Sequence, residues 1–111
     1  MVNIEKRGNV ELVSFTVNRI NALITEELRE PVMKLFEQQN TRVVFDLKGV
    51  EYIDSSGIGI FLSAFREARS NYGSMKICCP EPAVKLLFET LHLHTIFEIY
   101  GSTDDCIRSF R

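Results

Sequence analysis

The run Val43-Val44-Phe45-Asp46-Leu47 constrains this chain more than any other. It is short, apolar and rich in β-branched residues. That composition suits a strand covered on both faces, at the centre of a sheet. Such a strand needs helices packed above and below it, and helical patterns lie on either side in sequence. Upstream, Ile24, Leu28, Val32, Leu35 and Phe36 fall on one helical face. Downstream, Ile58, Phe61, Leu62, Phe65, Ala68 and Tyr72 recur at about 100° per residue. Strands joined by crossovers of helical length form parallel, right-handed units.

The rest of the chain fits this scheme. Val2–Lys6 and Val10–Val17 alternate polar and apolar residues around Arg7-Gly8-Asn9, which predicts a hairpin turned by Gly8 and Asn9. The first helical pattern lies within Asn18–Asn40, with Asn21, preferred over Thr25, as its cap. Pro31 inside it predicts a kink or a late start. Lys48-Gly49 breaks the central strand, and Val50–Ile53 continues as a short extended piece. The helix that follows is expected to span 57–72 and end on Gly73 as its C-cap. Met75–Cys79 reads as a strand. Pro82 suits the first position of a third helix whose apolar face is Val84, Leu87, Phe88 and Leu91. Ile96–Tyr100 is the last strand. Ser102 and Asp105 resemble a capping box, with Cys106, Ile107 and Phe110 facing a core. The order is β-β-α-β-α-β-α-β-α. It predicts an α/β fold with a mixed central sheet, made of the N-terminal hairpin plus parallel strands, and four α-helices in one domain over 1–111.

Several function classes lose support. A net charge of -2 lacks the basic balance of a nucleic-acid binder. No apolar run approaches the length of a membrane span, and the start carries no signal-peptide pattern, so the expected location is the cytoplasm. Cys78 and Cys79, adjacent on a strand, are expected to point to opposite faces. Together with Cys106 they read as buried or partly buried thiols. A nucleophile elbow needs glycine two residues before its serine, but Ile53 and Asp54 stand there instead. His92 and His94 have no carboxylate partner in sequence, and with Cys78 or Cys79 they fall short of a four-ligand metal set. Gly57-Ile58-Gly59 lacks the third glycine of a dinucleotide fingerprint, and there is no phosphate-loop lysine. Neither an enzyme nor a cofactor or metal is expected.

What remains is Tyr52-Ile53-Asp54-Ser55-Ser56-Gly57-Ile58-Gly59, a strand-to-helix turn with two hydroxyls at a helix N-terminus. Unpaired N–H groups and aligned dipoles favour negative charge there. One polar residue is explained by capping alone. Three in a row are explained less well by a cap. Ile60 lies off the apolar stripe of this helix, which places it beside the serines as a contact for a partner.

The whole chain resembles the STAS domain, and in particular the stand-alone anti-sigma-factor antagonists of bacterial transcription control. The resemblance rests on Val43–Leu47, on Tyr52–Gly59, on Pro82-Ala83-Val84 and on the element order. It implies a non-enzymatic binding protein. The serine after the aspartate, here Ser55 with Ser56 as second choice, would be phosphorylated by a serine kinase of histidine-kinase-like ATPase fold that is also the anti-sigma factor. The unmodified antagonist would bind that kinase and free the sigma factor, and a serine phosphatase would be a further partner. The docking surface implied is Asn21, Asp54, Ser55, Ser56, Gly57, Ile58, Gly59 and Ile60. The family usually carries Gly-x-Leu-Asp before the first helix. Asn18-Arg19-Ile20-Asn21 stands here, which removes a charge at Asn21. The alternatives are a STAS subunit of a lipid-transport or stress-signalling assembly that is not phosphorylated, and a small-ligand or nucleotide module using the helix N-terminus.

Overall fold

A computed structural model describes residues 1–110. Five strands form the main sheet in the order β1-β2-β4-β6-β7: β1 (Val2–Arg7), β2 (Val10–Phe15), β4 (Arg42–Asp46), β6 (Ser74–Cys78) and β7 (Ile99–Tyr100). The hairpin is antiparallel, pairing Arg7 with Val10 across a two-residue turn. Gly8 carries the positive φ of that turn (63°), whereas Asn9 does not. The other pairings in this sheet are parallel. β4 is central, and Val43, Val44 and Phe45 have no exposed surface.

The helices are α1 (Ala22–Leu35), α2 (Ser55–Ser70), α3 (Pro82–Thr90) and α4 (Thr103–Arg108). α1 starts at Ala22 and runs on through Pro31, so the proline does not delay its start. Pro82 occupies the first turn of α3, and Ser102 Oγ accepts from the Asp105 amide at 3.1 Å to cap α4. The end of α2 differs from expectation. The left-handed residue is Tyr72 (φ 58°), and its side chain is exposed rather than part of the apolar stripe. Gly73 is needed for a different reason: a Cβ there would sit 2.5 Å from the Thr41 carbonyl oxygen. The last strand is shorter than expected: after the 3-10 turn Leu93–Thr95 the amides of Ile96 and Phe97 still donate back to the Leu93 carbonyl, so only Ile99–Tyr100 pairs as β7. Leu91, expected on the α3 apolar face, is half exposed.

A second, two-stranded ribbon was not foreseen. β3 (Arg19–Ile20) and β5 (Tyr52–Ile53) pair in parallel, Arg19 with Tyr52 and Ile20 with Ile53. The ribbon joins the segment before α1 to the segment before α2. The two faces of the main sheet carry unequal cores. The larger holds most buried residues of β4, α1, α2 and α3 around Phe45, Phe61, Phe88 and Phe97. The smaller holds Val10, Leu12, Val44, Cys78 and Cys106 under α4.

Candidate functional site

Asp54 organises the turn into α2. Its Oδ1 accepts the Ser56 amide at 3.0 Å, the Gly57 amide at 3.1 Å and the Ser56 hydroxyl at 2.6 Å. One carboxylate oxygen thus satisfies two of the orphan donors of the first turn. These hydrogen bonds, led by the Ser56 hydroxyl and the Gly57 amide, hold the Asp54 carboxyl below the usual aspartate range. The anionic form is therefore the one that caps α2 at neutral pH.

The two serines have different surroundings. Ser56 is half-buried. Its hydroxyl donates to Asp54 and lies 3.3 Å from Thr25 Oγ1, a buried group on α1. It ties the first turns of α1 and α2 together. Ser55, the first residue of α2, is exposed, and no side-chain hydrogen bond engages it among the described residues. A protein kinase needs an accessible hydroxyl free to turn, and the geometry of Ser55 meets that need where that of Ser56 does not.

Gly57 sets the distance between α2 and the ribbon. A Cβ there would lie 2.6 Å from Ile53 Cγ2 and 2.9 Å from the Ile20 carbonyl oxygen. Only a residue without a side chain lets the first turn of α2 seat this closely. The Asp54 amide donates to the Ile20 carbonyl at 3.1 Å, which brings the starts of α1 and α2 side by side. Asn21 caps α1, its Oδ1 accepting from the Ile24 amide at 3.2 Å.

The structure redraws the surface around these residues. Ile60 is 2% exposed and belongs to the main core, so it offers nothing to a partner. The reason is that α2 packs against α1 as well as the sheet. Its buried positions, from Ile60 through Gly57 and Phe61 to Ile58, cover an arc of about 160° at 100° per residue, wider than a single-face stripe. Gly57 and Ile58 are buried too, and Gly59 is half-buried. The exposed apolar side chains in the neighbouring segments are instead Leu23 and Tyr52. Leu23, on the first turn of α1, is 81% exposed, and Tyr52 is about half exposed in β5. The Arg19 guanidinium lies over the Tyr52 ring at 4.9 Å from its centroid. The sequence held one signal for Leu23, a large apolar residue outside the α1 stripe. Arg19 and Tyr52 had none, because their pairing depends on the ribbon.

Among the described residues no helix is long and apolar enough to cross a membrane. His92 and His94 are both exposed, with ring centroids 6.1 Å apart.

Comparison with known proteins places this geometry. The STAS domain family profile matches residues 1–106. The anti-sigma-B factor antagonist of Bacillus subtilis (strain 168) is 27% identical over 105 residues, covering 93% of this chain and 94% of that protein. An anti-sigma-factor antagonist (STAS) domain protein from Planctomyces limnophilus superposes with a TM-score of 0.90 at 18% identity, over 97% of this chain and 96% of that one. The Bacillus cell fate determinant SpoIIAA in its phosphorylated form superposes with a TM-score of 0.73 at 16% identity, over the full length of both chains.

Proposed function

The chain belongs to the STAS domain family, and on that premise we propose that it is an anti-sigma-factor antagonist switched by phosphorylation of Ser55. Unmodified, it binds an anti-sigma factor that is also a serine kinase. Phosphorylated, it releases that partner. The observation that carries this reading is the contrast at the start of α2. Ser55 is exposed and free of side-chain hydrogen bonds among the described residues, while Ser56 is held by Asp54 and Thr25. Two kinds of comparison support it: the name of the B. subtilis relative and the phosphorylated state of the SpoIIAA neighbour.

A phosphate at Ser55 adds about -1.5 to -2 charges at pH 7. The helix N-terminus favours that charge by about 0.3–1 kcal/mol, and the neighbouring Asp54 carboxylate opposes it. The fold therefore changes little. An interface seated over Ser55, Leu23 and Tyr52 would have to bury the dianion without a matching cation, and that costs several kcal/mol. Turning a 99:1 preference around takes about 10⁴-fold in differential affinity, which is within the reach of such a penalty plus steric bulk. Asn21, uncharged where the family usually has aspartate, keeps the helix cap while removing one charge from this surface.

The test is incubation with the cognate anti-sigma kinase and ATP, mapping by mass spectrometry, and a binding measurement on each form. One phosphate on Ser55 and loss of kinase binding are expected. Ser55→Ala should fold, bind and resist phosphorylation, and Ser56→Ala should still accept phosphate on Ser55. If the phosphorylated protein holds the kinase as tightly as the unmodified one, the switch reading is wrong.

A further inference from the structure

The three cysteines of the chain converge on one place, across the main sheet from Ser55. Cys78 ends β6 and faces α4, packed in the same cluster as Cys106. Cys79 follows the strand with φ 58°. A left-handed backbone breaks the strand alternation, so the two neighbouring thiols do not point to opposite faces. Both Sγ atoms lie 3.6 Å from Thr103 Oγ1. Asp46, paired with Cys78 across β4 and β6, completes the group. Its carboxylate and the Cys78 and Cys79 sulfurs lie within 4.8 Å of one another.

A non-glycine residue in the left-handed region is strained, and such strain persists only where its surroundings enforce it. Here it turns the Cys79 sulfur towards Cys78 and Asp46. We propose that Cys78, Cys79 and Asp46 form a binding site for a thiophilic divalent cation, with Zn²⁺ as the best fit. Two thiolates and a carboxylate are its preferred donors. A Zn–S bond is about 2.3 Å, so sulfurs around a tetrahedral ion stand about 3.8 Å apart. The two sulfurs and the Asp46 carboxylate, all within 4.8 Å of one another, already stand near that spacing. The fourth position is left to water. A cleft of about 150 Å³ lined by Cys79, Pro80, Lys85, Ile99, Tyr100 and Gly101 opens beside Cys79, the more exposed of the two thiols.

The ion balances its own charge by displacing protons: M²⁺ and two thiols give the dithiolate complex and two H⁺. Without metal the thiols hold their protons firmly. Burial pushes Cys79 up to about 11, and the contact with Cys106 together with burial raises Cys78 further. Metal affinity must therefore rise steeply with pH, by about 100-fold per unit for two released protons.

The experiment is a Co²⁺ titration of the full-length chain, reduced and stripped with chelator. It follows thiolate-to-cobalt charge transfer in the near ultraviolet, with Zn²⁺ then added as competitor. One Co²⁺ per chain, a band that Zn²⁺ abolishes, and a two-proton pH slope are expected. Cys79→Ser, on the half-buried residue, should remove most of the band. Asp46→Asn, which keeps the shape, should weaken binding at least tenfold. Cys106→Ser should leave the band in place. Thermal unfolding of each variant without metal checks that it folds. Absence of the band in the folded parent chain would overturn the proposal, as would an undiminished band in folded Cys79→Ser. Both outcomes are independent of Ser55 and of the kinase.

Discussion

The two faces of the main sheet are built on different principles. On one, α1, α2 and α3 cover a continuous apolar core, with Phe15, Phe45 and Phe61 meeting at ring-centroid distances of 5.3 to 6.3 Å. On the other, the six-residue α4 covers a small cluster, and the residues that follow it are tied to the sheet by Lys76. Lys76 is only 8% exposed. Its Nζ donates to Ser109 Oγ at 2.8 Å and to the Ser109 carbonyl at 3.3 Å, and sits 4.3 Å from the centroid of the Phe110 ring. Its ion pair with Glu98 spans 3.6 Å, and Glu98 is exposed, so that pair adds little. The difference has a consequence. The thick face gives the starts of α1 and α2 a packed base, so the phosphate proposed at Ser55 would change the surface and not the fold. The thin face depends on a few specific groups, and small changes there act locally.

The largest test of this contrast is Phe61→Ala. It removes the ring shared by the aromatic trio and should cost about 3–5 kcal/mol, read from urea unfolding. A loss below 1 kcal/mol would show that the thick face is not the main source of stability. Lys76→Met comes next. It keeps the buried stem and deletes the donor to Ser109, so about 1–2 kcal/mol is expected. Amide exchange should quicken in α4 and stay unchanged in α1 and α2. Equal quickening on both faces would break the comparison.

The smallest effect is expected at the exposed edge of the thick face. Asp54→Asn keeps the capping oxygen and removes the charge. Because the folded-state value of Asp54 is depressed, its ionised form adds stability above the ordinary aspartate range, and that stability is lost as pH falls through the depressed value. Parent and variant should differ slightly in Tm at pH 7 and converge in strong acid, where both are neutral. A gap that widens on acidification would contradict the cap.

Much of this was written locally. Asn21, Asp54 and Ser102 cap helices because short polar side chains reach their own next turn, and such contacts need only nearby residues. Gly8 turns the hairpin and Pro82 starts α3 for reasons equally local. Val43–Phe45 announced the centre of the sheet, since an unbroken apolar run has no exposed face. Tertiary structure decided the rest. Ile60 is buried because α2 has two neighbours, whereas a helical wheel assumes one. The need for glycine at 57 and 73 comes from tertiary neighbours, the β3–β5 ribbon at Ile20 and Ile53 for Gly57 and the Thr41 backbone for Gly73. The β3–β5 ribbon brings Arg19 over Tyr52 in the segment that leads into α2, and the turn at Cys79 gathers two thiols beside Asp46. The sequence alone marked the serine turn as the candidate site. Which serine stands free depended on Thr25 and Asp54 closing around Ser56, a contact between helices that only the folded chain creates.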